Sequence, residues 1–519
     1  MGALLVAGTT SDAGKSIVTT GLCRAFARRG VSVAPFKAQN MSNNSMVCAG
    51  PGGSADSGAA EIGRAQWVQA RAAVVEPEPA MNPVLLKPSG DRRSHVVIMG
   101  RPGGTVSSRD FVDGRRHLAA AAFAAYDDLS ARFDLVVAEG AGSPAEVNLR
   151  AGDYVNMGLA RHAEMATVVV GDIDRGGVFA AMLGTVALLE PADQRLVAGF
   201  VVNKFRGDLD LLEPGLRTLE RLTGRRVLGT LPWHPGLWLD SEDALDLEGR
   251  RAPGGGRLRV AVVRLPRISN FTDVDALGLE PDLDVRFVAD ARHVGDADLL
   301  VLPGTRSTVE DLAWLRARGL DRAVLDHARA GRPVLGICGG FQMLGRRVVD
   351  PVGVEADPGT EVEGLGLLDV VTEFREDKVL RLPEGRALGA ATSGYEIHHG
   401  RITRGSGEEF LGGARSGSVF GTMWHGSLEG DAFRQALLAE VAAAVGREHA
   451  PSDVSFPAAR ERRLDLLGDL VEEHLDLDLL HAWARDGAPE DLPLLPPGST
   501  GLGSTGLGAS GTTPTVPVP

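Results

Sequence analysis

Short apolar runs alternate with helix-like stretches through the first 250 residues of the chain. Six runs, each ending in a polar or glycine-rich corner, predict strands at residues 3–7, 31–36, 135–138, 167–170, 197–202 and 227–231. Residues 14–30 carry apolar positions at helical spacing, which predicts a helix directly after the first strand. Continuous apolar strands separated by helices indicate a parallel sheet covered on both faces.

A second run of the same kind follows residues 248–257, where Pro253 and the neighbouring glycines predict a linker. Its predicted strands lie near residues 259–265, 299–302, 333–337, 395–398 and 419–423, and the run should end near Val445. Residues 464–475 predict an amphipathic helix that packs back on a domain, and the low-complexity residues 498–519 predict disorder. The expected fold class is α/β with two doubly wound domains, at residues 1–250 and 257–447, then a helical extension (448–493) and a disordered tail (494–519).

Composition places the chain among ordinary folded proteins, with 519 residues, 44% hydrophobic and 24% charged. Its formal net charge of −14 has the wrong sign for tracking a phosphate backbone, so no nucleic-acid partner is expected. No apolar run approaches the roughly 20 residues that span a bilayer, and no basic leader precedes residues 3–7. We therefore expect a cytoplasmic protein without a membrane partner, and a homo-oligomer is compatible with these features.

Three further features of the composition bear on chemistry. Glycine accounts for 67 residues, which indicates frequent sharp turns or close backbone approaches. Lysine occurs only at positions 15, 37, 87, 204 and 378, and a lysine ammonium is a compact point charge that suits a phosphate. The cysteines at 23, 48 and 338 form neither a disulfide framework nor a metal-binding spacing, and those at 23 and 48 are expected to be inert.

The glycine-rich corner after the first predicted strand has the pattern of a P-loop. Its sequence is Gly-Thr-Thr-Ser-Asp-Ala-Gly-Lys-Ser, at residues 8–16. In such loops backbone N–H groups and a helix N-terminus bind phosphates, the lysine reaches the β and γ oxygens, and the serine hydroxyl ligates Mg²⁺. ATP and Mg²⁺ are therefore expected here, with the nucleotide contacted by Thr9, Thr10, Asp12, Ala13, Gly14, Lys15 and Ser16.

The two glycines of this loop are separated by five residues instead of four, which is typical of the dethiobiotin synthetase-like branch of P-loop enzymes. That resemblance implies a phosphate or substrate contact for Lys37 and a nucleotide contact for Asn203 and Lys204. Glu139 ends another predicted strand, where a carboxylate would hold Mg²⁺ together with Ser16.

Residues 333–345 predict a buried strand that turns into a helix through a nucleophile elbow. Gly336 and Gly340 permit the strained turn that exposes the Cys338 thiol, and the helix N-terminus favours the thiolate over a free thiol of pKa about 8.5. Gly304 follows another predicted strand and is expected to supply an oxyanion N–H beside that of Gly339.

His425 follows a late predicted strand and fits the order of cysteine then histidine in class I glutamine amidotransferases. The usual amidotransferase pattern has glutamate two residues after the histidine, whereas this chain has Ser427. Glu429 is the nearest acid in the sequence, so the third member of a triad stays open. His398 and His399 are rival bases.

A P-loop and a glutaminase elbow in one chain indicate amide formation. Beyond these general motifs, residues 36–45, 61–66, 82–88, 148–150, 156–158 and 171–177 make the chain resemble the cobyric acid synthase family, from the N-terminus to about Leu480. The resemblance implies a dethiobiotin synthetase-like P-loop domain joined to a flavodoxin-like class I glutamine amidotransferase domain.

The same resemblance implies ATP- and glutamine-dependent amidation of the b, d, e and g side-chain carboxylates of adenosylcobyrinic acid a,c-diamide, giving adenosylcobyric acid in cobalamin biosynthesis. Glutamine and a corrinoid are thus the expected substrates. Glu61 is a further metal-ligand candidate, although residues 50–59 look like an insertion and leave Asp56 as an alternative. The expected corrinoid contacts are Arg64, Lys87, Arg150, Asp172, Asp174 and Arg175. Asp172 and Asp174 are also candidates to bind metal or to cap the next helix.

Two other functions fit parts of the sequence. Cobyrinic acid a,c-diamide synthase shares both modules, but it usually has Lys-Gly-Pro-Asp where this chain has Lys-Ala-Gln-Asn at residues 37–40. A regulatory P-loop ATPase with a relict amidotransferase domain is the other alternative. The complete set of Lys15, Glu139, Cys338 and His425 argues against such decay.

Overall fold

The computed structural model describes residues 2–50, 58–90, 93–107, 116–235, 237 and 258–495. The strands before residue 236 are β1 (Gly2–Gly8), β2 (Val33–Phe36), β3 (Gln39–Met41), β4 (Ser45–Ala49), β5 (Ala59–Gly63), β6 (Val84–Gly90), β7 (Arg93–Ile98), β8 (Arg101–Ser107), β9 (Leu135–Glu139), β10 (Ala166–Asp172), β11 (Val197–Phe205) and β12 (Arg226–Pro232). The helices are α1 (Lys15–Arg28), α2 (Arg64–Ala72), α3 (Arg116–Arg132), α4 (Met157–His162), α5 (Val178–Leu188), α6 (Pro191–Gln194) and α7 (Leu209–Thr223).

The six strands predicted in this part are all present and form one parallel sheet, in the order β12-β11-β10-β1-β9-β2. Both faces are covered, because alternate residues of β1 enter different cores. Leu4 and Val6 pack with α1, whereas Leu5 and Ala7 face the opposite layer. The predicted helix after β1 is α1, and every strand of the sheet delivers its carboxyl end to the edge where the P-loop lies.

The expectation of uninterrupted strand–helix units was wrong between β2 and α3. Two small sheets lie there, a four-stranded one in the order β3-β6-β7-β8 and the antiparallel pair β4-β5. Their strands combine apolar residues with buried polar side chains, which form hydrogen bonds. Asn40 Nδ2, for example, donates to Gln66 Oε1 over 3.0 Å, and both residues are buried.

The remaining strands are β13 (Leu258–Val263), β14 (Leu283–Val288), β15 (Leu299–Leu302), β16 (Val334–Ile337), β17 (Arg347–Asp350), β18 (Thr360–Glu363), β19 (Val370–Arg381), β20 (Glu384–Ala387), β21 (Ala390–Ser393), β22 (Glu396–Arg404), β23 (Glu408–Phe410), β24 (Gly413–Ser416) and β25 (Val419–Thr422). The helices are α8 (Asp275–Gly278), α9 (Thr308–Ala317), α10 (Leu320–Arg329), α11 (Gly339–Leu344), α12 (Asp431–Ala444), α13 (Phe456–His474) and α14 (Leu477–Asp486).

A second sheet runs in the order β14-β13-β15-β16-β25-β24-β23, and its pairs from β14 to β25 are parallel. The strand predicted at residues 395–398 corresponds to β22, but it does not belong to this sheet. It pairs antiparallel with β19 in a separate four-stranded sheet, in the order β18-β17-β19-β22. The α/β class with two doubly wound sheets is confirmed, with this antiparallel addition.

The predicted C-terminal amphipathic helix corresponds to α13, which packs against α1. Its first residue, Phe456, belongs to the core of the second sheet, whereas Leu464 and Val471 belong to the core of the first. The predicted linker at 248–257 and the low-complexity residues 498–519 lie outside the described residues. Among the described helices, none combines the length and the apolar character needed to cross a membrane.

Candidate functional site

The loop between β1 and α1 wraps around the Lys15 side chain, which is buried. Its Nζ donates hydrogen bonds to the carbonyl oxygens of Thr10, over 2.8 Å, and Ser11, over 3.0 Å. Gly14 adopts a φ of +100°, and a Cβ at this position would lie 1.9 Å from Nδ2 of Asn203. Glycine is therefore required where the loop enters the helix, as a phosphate-binding loop demands.

Glu139 lies next to this loop and accepts three hydrogen bonds. Its Oε1 accepts from the hydroxyl of Ser16, over 2.9 Å, and from Nζ of Lys37, over 2.8 Å. Its Oε2 accepts from Nε2 of Gln69, over 2.5 Å. Burial raises the pKa of this carboxyl, but the Lys37 ammonium outweighs that effect and the pKa is held below its usual range. Glu139 is therefore a carboxylate.

The side chains of Ser16 and Glu139 have the chemistry that Mg²⁺ prefers. Both offer hard oxygen ligands, and the two oxygens lie 2.9 Å apart. In the described part of the chain, no group of three or more histidine, cysteine or acidic side chains forms a metal cluster. A magnesium ion held here would therefore take its remaining ligands from phosphate oxygens and water. The residues present fit that mode of binding.

The residues after β10 and β11 close the outer side of the P-loop. Asn203 Nδ2 donates to the carbonyl of Ala13 over 2.9 Å, and Lys204 Nζ donates to the carbonyl of Asp12 over 2.9 Å and to Asp172 Oδ2 over 2.8 Å. Lys204 holds a φ of +61°, a strained conformation for a non-glycine residue. Asn203 and Lys204 therefore lie against the phosphate loop, and their contact with a nucleotide stays a prediction.

Three predicted corrinoid contacts also lie on this side of the P-loop. Arg175 forms an ion pair with Asp12 over 2.9 Å, and Asp174 faces Arg206 over 3.3 Å. Asp172, as described, accepts from Lys204. The structure thus groups Asp172, Asp174 and Arg175 with the nucleotide loop, and their corrinoid role stays a prediction.

Cys338 lies at the turn between β16 and α11 with a φ of +49° and a ψ of −108°. The flanking glycines leave no room for side chains. A Cβ on Gly336 would lie 2.8 Å from the backbone nitrogen of Phe341, and one on Gly340 would lie 2.0 Å from the carbonyl oxygen of Leu302. These contacts make the strained turn specific to glycine on both sides, and the turn has the geometry of a nucleophile elbow.

The imidazole of His425 contacts both Cys338 and an acid that the sequence analysis missed. His425 shares a hydrogen bond with the Cys338 side chain, and its Nδ1 lies 2.7 Å from Oδ2 of Asp273. The second oxygen of Asp273 accepts from the backbone N–H of Gly426 over 2.8 Å, which fixes the carboxylate. Tyr395 stacks on the imidazole at 5.2 Å between ring centroids. The three side chains form a cysteine–histidine–aspartate arrangement.

The charge of His425 follows from these neighbours. Burial lowers the pKa of the imidazole, but the carboxylate of Asp273 and the sulfur of Cys338 outweigh that effect and raise it to about 10. His425 is therefore an imidazolium at neutral pH, and it can share its proton with the leaving group of a reaction at Cys338.

Glu429, the nearest acid in the sequence, does not contact His425. It accepts hydrogen bonds from Arg64, over 3.1 Å, and from Arg460, over 2.9 Å. The rival bases His398 and His399 line the cavity in front of Cys338, and their Nδ1 atoms face the carbonyl oxygens of Gly400 and Arg375.

The cavity in front of Cys338 is built from both halves of the chain. It contains Lys87 of β6 and Lys378 of β19, together with Cys338 and His425. Gly304 and Gly339 lie beside the reacting groups. A Cβ on Gly304 would lie 2.9 Å from Cε1 of His425, and one on Gly339 would lie 3.1 Å from the backbone nitrogen of Thr305. Both predicted oxyanion glycines are thus close to the thiol, and that role stays a prediction.

Glu61 lies between the two halves, with a lysine at each oxygen. Its Oε1 accepts from Lys87 over 2.6 Å, and its Oε2 accepts from Lys378. Burial raises the pKa of this carboxyl, but the Lys378 and Lys87 ammonium groups together outweigh that effect and hold the pKa well below its usual range. Both contacts of Glu61 are to lysines, so they do not support the prediction that Glu61 is a metal ligand together with Ser16 and Glu139.

The other predicted site residues have partners of their own. Arg150 forms a two-point ion pair with Asp193, over 2.6 and 2.9 Å.

Cys23 lies on α1 and Cys48 lies in strand β4, and burial raises the pKa of both thiols. Neither cysteine forms a thiolate at neutral pH.

Three functional candidates were missed by the sequence analysis: Asp273, Gln69 and Lys378. Asp273 follows β13 in the short segment Asn-Phe-Thr-Asp, at residues 270–273. Because Asp273 lies ten residues beyond the end of β13, it carries no strand-end signal in the sequence. Gln69 lies on α2 and carries no local signal.

Two family profiles match the chain. A CobQ/CobB/MinD/ParA nucleotide binding domain matches residues 4–245, and a CobB/CobQ-like glutamine amidotransferase domain matches residues 259–433. Together with the fold and the two sites, these matches define the class: a nucleotide-binding P-loop domain joined to a glutamine amidotransferase domain.

The curated relatives identify the family. Cobyric acid synthases of Mycobacterium bovis and Mycobacterium tuberculosis are each 73% identical to this chain over 502 residues, which is 96% of the chain and 100% of each relative. The cobyric acid synthase of Mycobacterium ulcerans is 71% identical over 500 residues, with the same coverage. The chain belongs to the cobyric acid synthase family, and it is a glutamine-dependent, amide-forming enzyme of cobalamin biosynthesis.

Proposed function

We propose that the chain uses ATP and glutamine to amidate the b, d, e and g side-chain carboxylates of adenosylcobyrinic acid a,c-diamide, giving adenosylcobyric acid. The observation that carries the proposal is the presence in one chain of two separate sites. One is the P-loop, with Lys15 and the pair Ser16–Glu139, and the other is the arrangement of Cys338, His425 and Asp273. Membership of the cobyric acid synthase family supports the choice of substrate.

The glutaminase half-reaction takes place at Cys338. The thiolate attacks the carboxamide carbon of glutamine, and the N–H groups of Gly304 and Gly339 stabilise the oxyanion that forms. The His425 imidazolium gives its proton to the departing nitrogen, so that ammonia leaves and a thioester remains. Water, deprotonated by the now neutral imidazole, then hydrolyses the thioester to glutamate and restores the thiolate.

The ligase half-reaction takes place at the P-loop. A corrinoid carboxylate oxygen attacks the γ-phosphorus of ATP, the bond to the β-phosphate oxygen breaks, and an acyl phosphate forms with ADP as the leaving group. Ammonia then attacks the acyl carbon, loses a proton and displaces phosphate, which leaves the amide. Lys15 and Lys37 bring positive charge to the phosphates. A magnesium ion bound at Ser16 and Glu139 would neutralise charge on the same oxygens.

Mass spectrometry of the corrinoid tests this proposal. Adenosylcobyrinic acid a,c-diamide is incubated with the purified chain, Mg²⁺, ATP and glutamine labelled with nitrogen-15 in the side chain. We expect four successive products, each with one more labelled amide in place of a carboxylate. If this substrate stays unchanged while adenosylcobyrinic acid gains two amides, the chain is an a,c-diamide synthase instead. Hydrolysis of ATP without any corrinoid product would favour a regulatory ATPase.

A further inference from the structure

The cavity in front of Cys338 contains a cation and an acid that the proposed chemistry does not use. They are Arg306 and Glu355, and both line the cavity together with Cys338 and His425. Arg306 lies two residues after Gly304, in the loop between β15 and α9, and Glu355 lies in the loop between β17 and β18. Two charges of opposite sign therefore face the same space as the nucleophile.

The charge of Arg306 interacts with that of Glu355, but the Arg306 side chain is not fully satisfied in the described part of the chain. Its Nε is buried without a hydrogen-bond partner, and no described acid forms an ion pair with it. The two lysines of the cavity differ from it, because Lys87 and Lys378 both bind Glu61. A buried guanidinium N–H without an acceptor is costly, so this group is suited to a ligand that brings one. The planar guanidinium matches a carboxylate in particular.

Glu355 is held in place from one side. Its Oε2 accepts a hydrogen bond from the backbone N–H of Thr308, the first residue of α9, over 2.7 Å. Burial raises the pKa of this carboxyl to about 7, although the charge of Arg306 lowers it in part. A cationic ligand would therefore bind favourably beside Glu355, because its charge would stabilise the ionised carboxylate.

Glutamine is a ligand with both complementary charges. Its α-carboxylate and α-ammonium are attached to one carbon, and two methylene groups separate that carbon from the carboxamide. We propose that Arg306 binds the α-carboxylate of glutamine and Glu355 binds its α-ammonium, so that the carboxamide faces Cys338. This subsite rests on the proposed glutaminase function of Cys338. It explains how the site selects glutamine over an amide that lacks the charged end.

The test compares glutamine with two amides that each lack one charge. Glutaramate lacks the α-ammonium, and 4-aminobutanamide lacks the α-carboxylate. Because a hydrogen bond to a charged group contributes roughly 1.5–3 kcal/mol, we expect wild-type kcat/KM to fall by about 10- to 100-fold for each analogue. Arg306→Leu should lose a similar factor with glutamine, mainly through KM, and should no longer distinguish glutamine from 4-aminobutanamide. Glu355→Gln should likewise lose its preference for glutamine over glutaramate.

Three controls separate this role from others. Iodoacetamide has neither α group, so its rate of alkylation at Cys338 should be the same in both variants as in the wild type. Ammonia-dependent amidation should also be retained, which shows that the variants are folded. Arg347→Leu and Glu361→Gln change an exposed ion pair in the same half of the chain and should leave the discrimination intact.

Different outcomes overturn different statements. If Arg306→Leu and Glu355→Gln hydrolyse glutamine with wild-type KM and wild-type discrimination, the subsite is wrong and the glutaminase function stands. If either variant slows iodoacetamide as much as it slows glutamine, that residue acts on the thiolate and the subsite is wrong for it. A wild-type chain that hydrolyses no glutamine would overturn the proposed function and the subsite with it.

Discussion

His425 lies between an acid and a thiol, and we expect this position to set the reactivity of Cys338. The Asp273 carboxylate lies 2.7 Å from Nδ1, which leaves the other nitrogen of the ring for the sulfur. Because the pKa of His425 is raised to about 10, well above the ordinary value for histidine, the imidazolium persists through neutral pH beside the Cys338 sulfur.

Replacing Asp273 by asparagine removes the charge that stabilises this imidazolium. The pKa of His425 should then fall, so the imidazolium that would stabilise a charged sulfur at Cys338 is lost at a lower pH. We expect glutamine hydrolysis to fall by about 10³- to 10⁴-fold, as befits loss of the acid that orients a catalytic histidine. The rate of iodoacetamide alkylation, measured from pH 5 to pH 10, should shift its midpoint upward.

Glu429→Gln is the matched control, because Glu429 is the nearest acid in the sequence but binds Arg64 and Arg460. Its alkylation profile should coincide with that of the wild type. If the profile shifts in Glu429→Gln and not in Asp273→Asn, Glu429 is the acid that supports His425.

Asp273, the triad acid that the sequence did not reveal, shows why some site residues escape sequence reasoning. The amidotransferase sequence pattern places the acid just after the histidine, whereas Asp273 lies 152 positions before His425. Cys338 and Lys15 were found because glycines at fixed spacing mark their turns. Asp273 has no such marker, and only the pairing of strands in three dimensions brings it to the histidine.

At the level of elements, β5 and α2 form one continuous segment that reaches both sites. Glu61 on β5 binds the two lysines of the Cys338 cavity, and Gln69 on α2 donates to Glu139 beside the P-loop. Arg64 begins α2, and about five helical residues at roughly 1.5 Å each separate it from Gln69. The same short segment therefore contributes to the wall of the glutaminase cavity and to the nucleotide site.

The strands that were predicted and those that were missed differ in how their burial is achieved. Strands β1, β9 and β10 are buried by apolar side chains on both faces, so the sequence pattern shows them. Strands β3 and β4 bury polar residues such as Gln39 and Ser45, whose side chains accept hydrogen bonds from Tyr154 and Lys87. Apolar periodicity alone does not detect such strands.

Helix α13 approaches α1 closely at Gly21. A Cβ there would lie 2.7 Å from the backbone oxygen of Leu467 and 2.4 Å from Cγ2 of Val471. Because backbone cannot yield as a side chain can, Gly21→Ala should force the helices apart and cost about 1–3 kcal/mol of overpacking strain. This cost exceeds or offsets the gain of up to about 1 kcal/mol from helix propensity. The midpoint of urea unfolding measures the net effect.

Gly184→Ala is the matched control for this prediction. Gly184 lies in α5 with no heavy atom within 4 Å of a Cβ built on it. Its substitution should raise the unfolding midpoint or leave it unchanged, since only the gain in helix propensity applies. Equal midpoints for Gly21→Ala and Gly184→Ala would show that α13 does not pack on α1 as closely as described.

At the scale of the whole molecule, the five lysines lie at the two sites. Lys15, Lys37 and Lys204 surround the P-loop, and Lys87 and Lys378 line the cavity of Cys338. Elsewhere in the described residues, arginine and histidine form the ion pairs. The scarcity of lysine in the sequence was therefore a guide to both sites, although it did not reveal which lysines belong to which.

The two halves of the molecule are also joined by buried contacts. Arg64 of α2 binds Glu429 of the second half, and α13 takes part in the cores of both. Lys87 of the first half completes the cavity of the second. We expect the division of labour between the sites to be chemical, with glutamine used at one and ATP at the other, within one packed structure.

The nitrogen source separates these two roles most directly. We would measure corrinoid amidation by Cys338→Ala and by Glu139→Gln, each supplied in turn with glutamine and with ammonium chloride. Cys338→Ala should lose amidation from glutamine and keep amidation from ammonia, because the thiol acts only in releasing nitrogen. Glu139→Gln should lose about a thousandfold from both sources, because it removes charge at the phosphoryl-transfer site. Loss of ammonia-dependent amidation in a folded Cys338→Ala chain, or its survival at the wild-type rate in Glu139→Gln, would contradict this account.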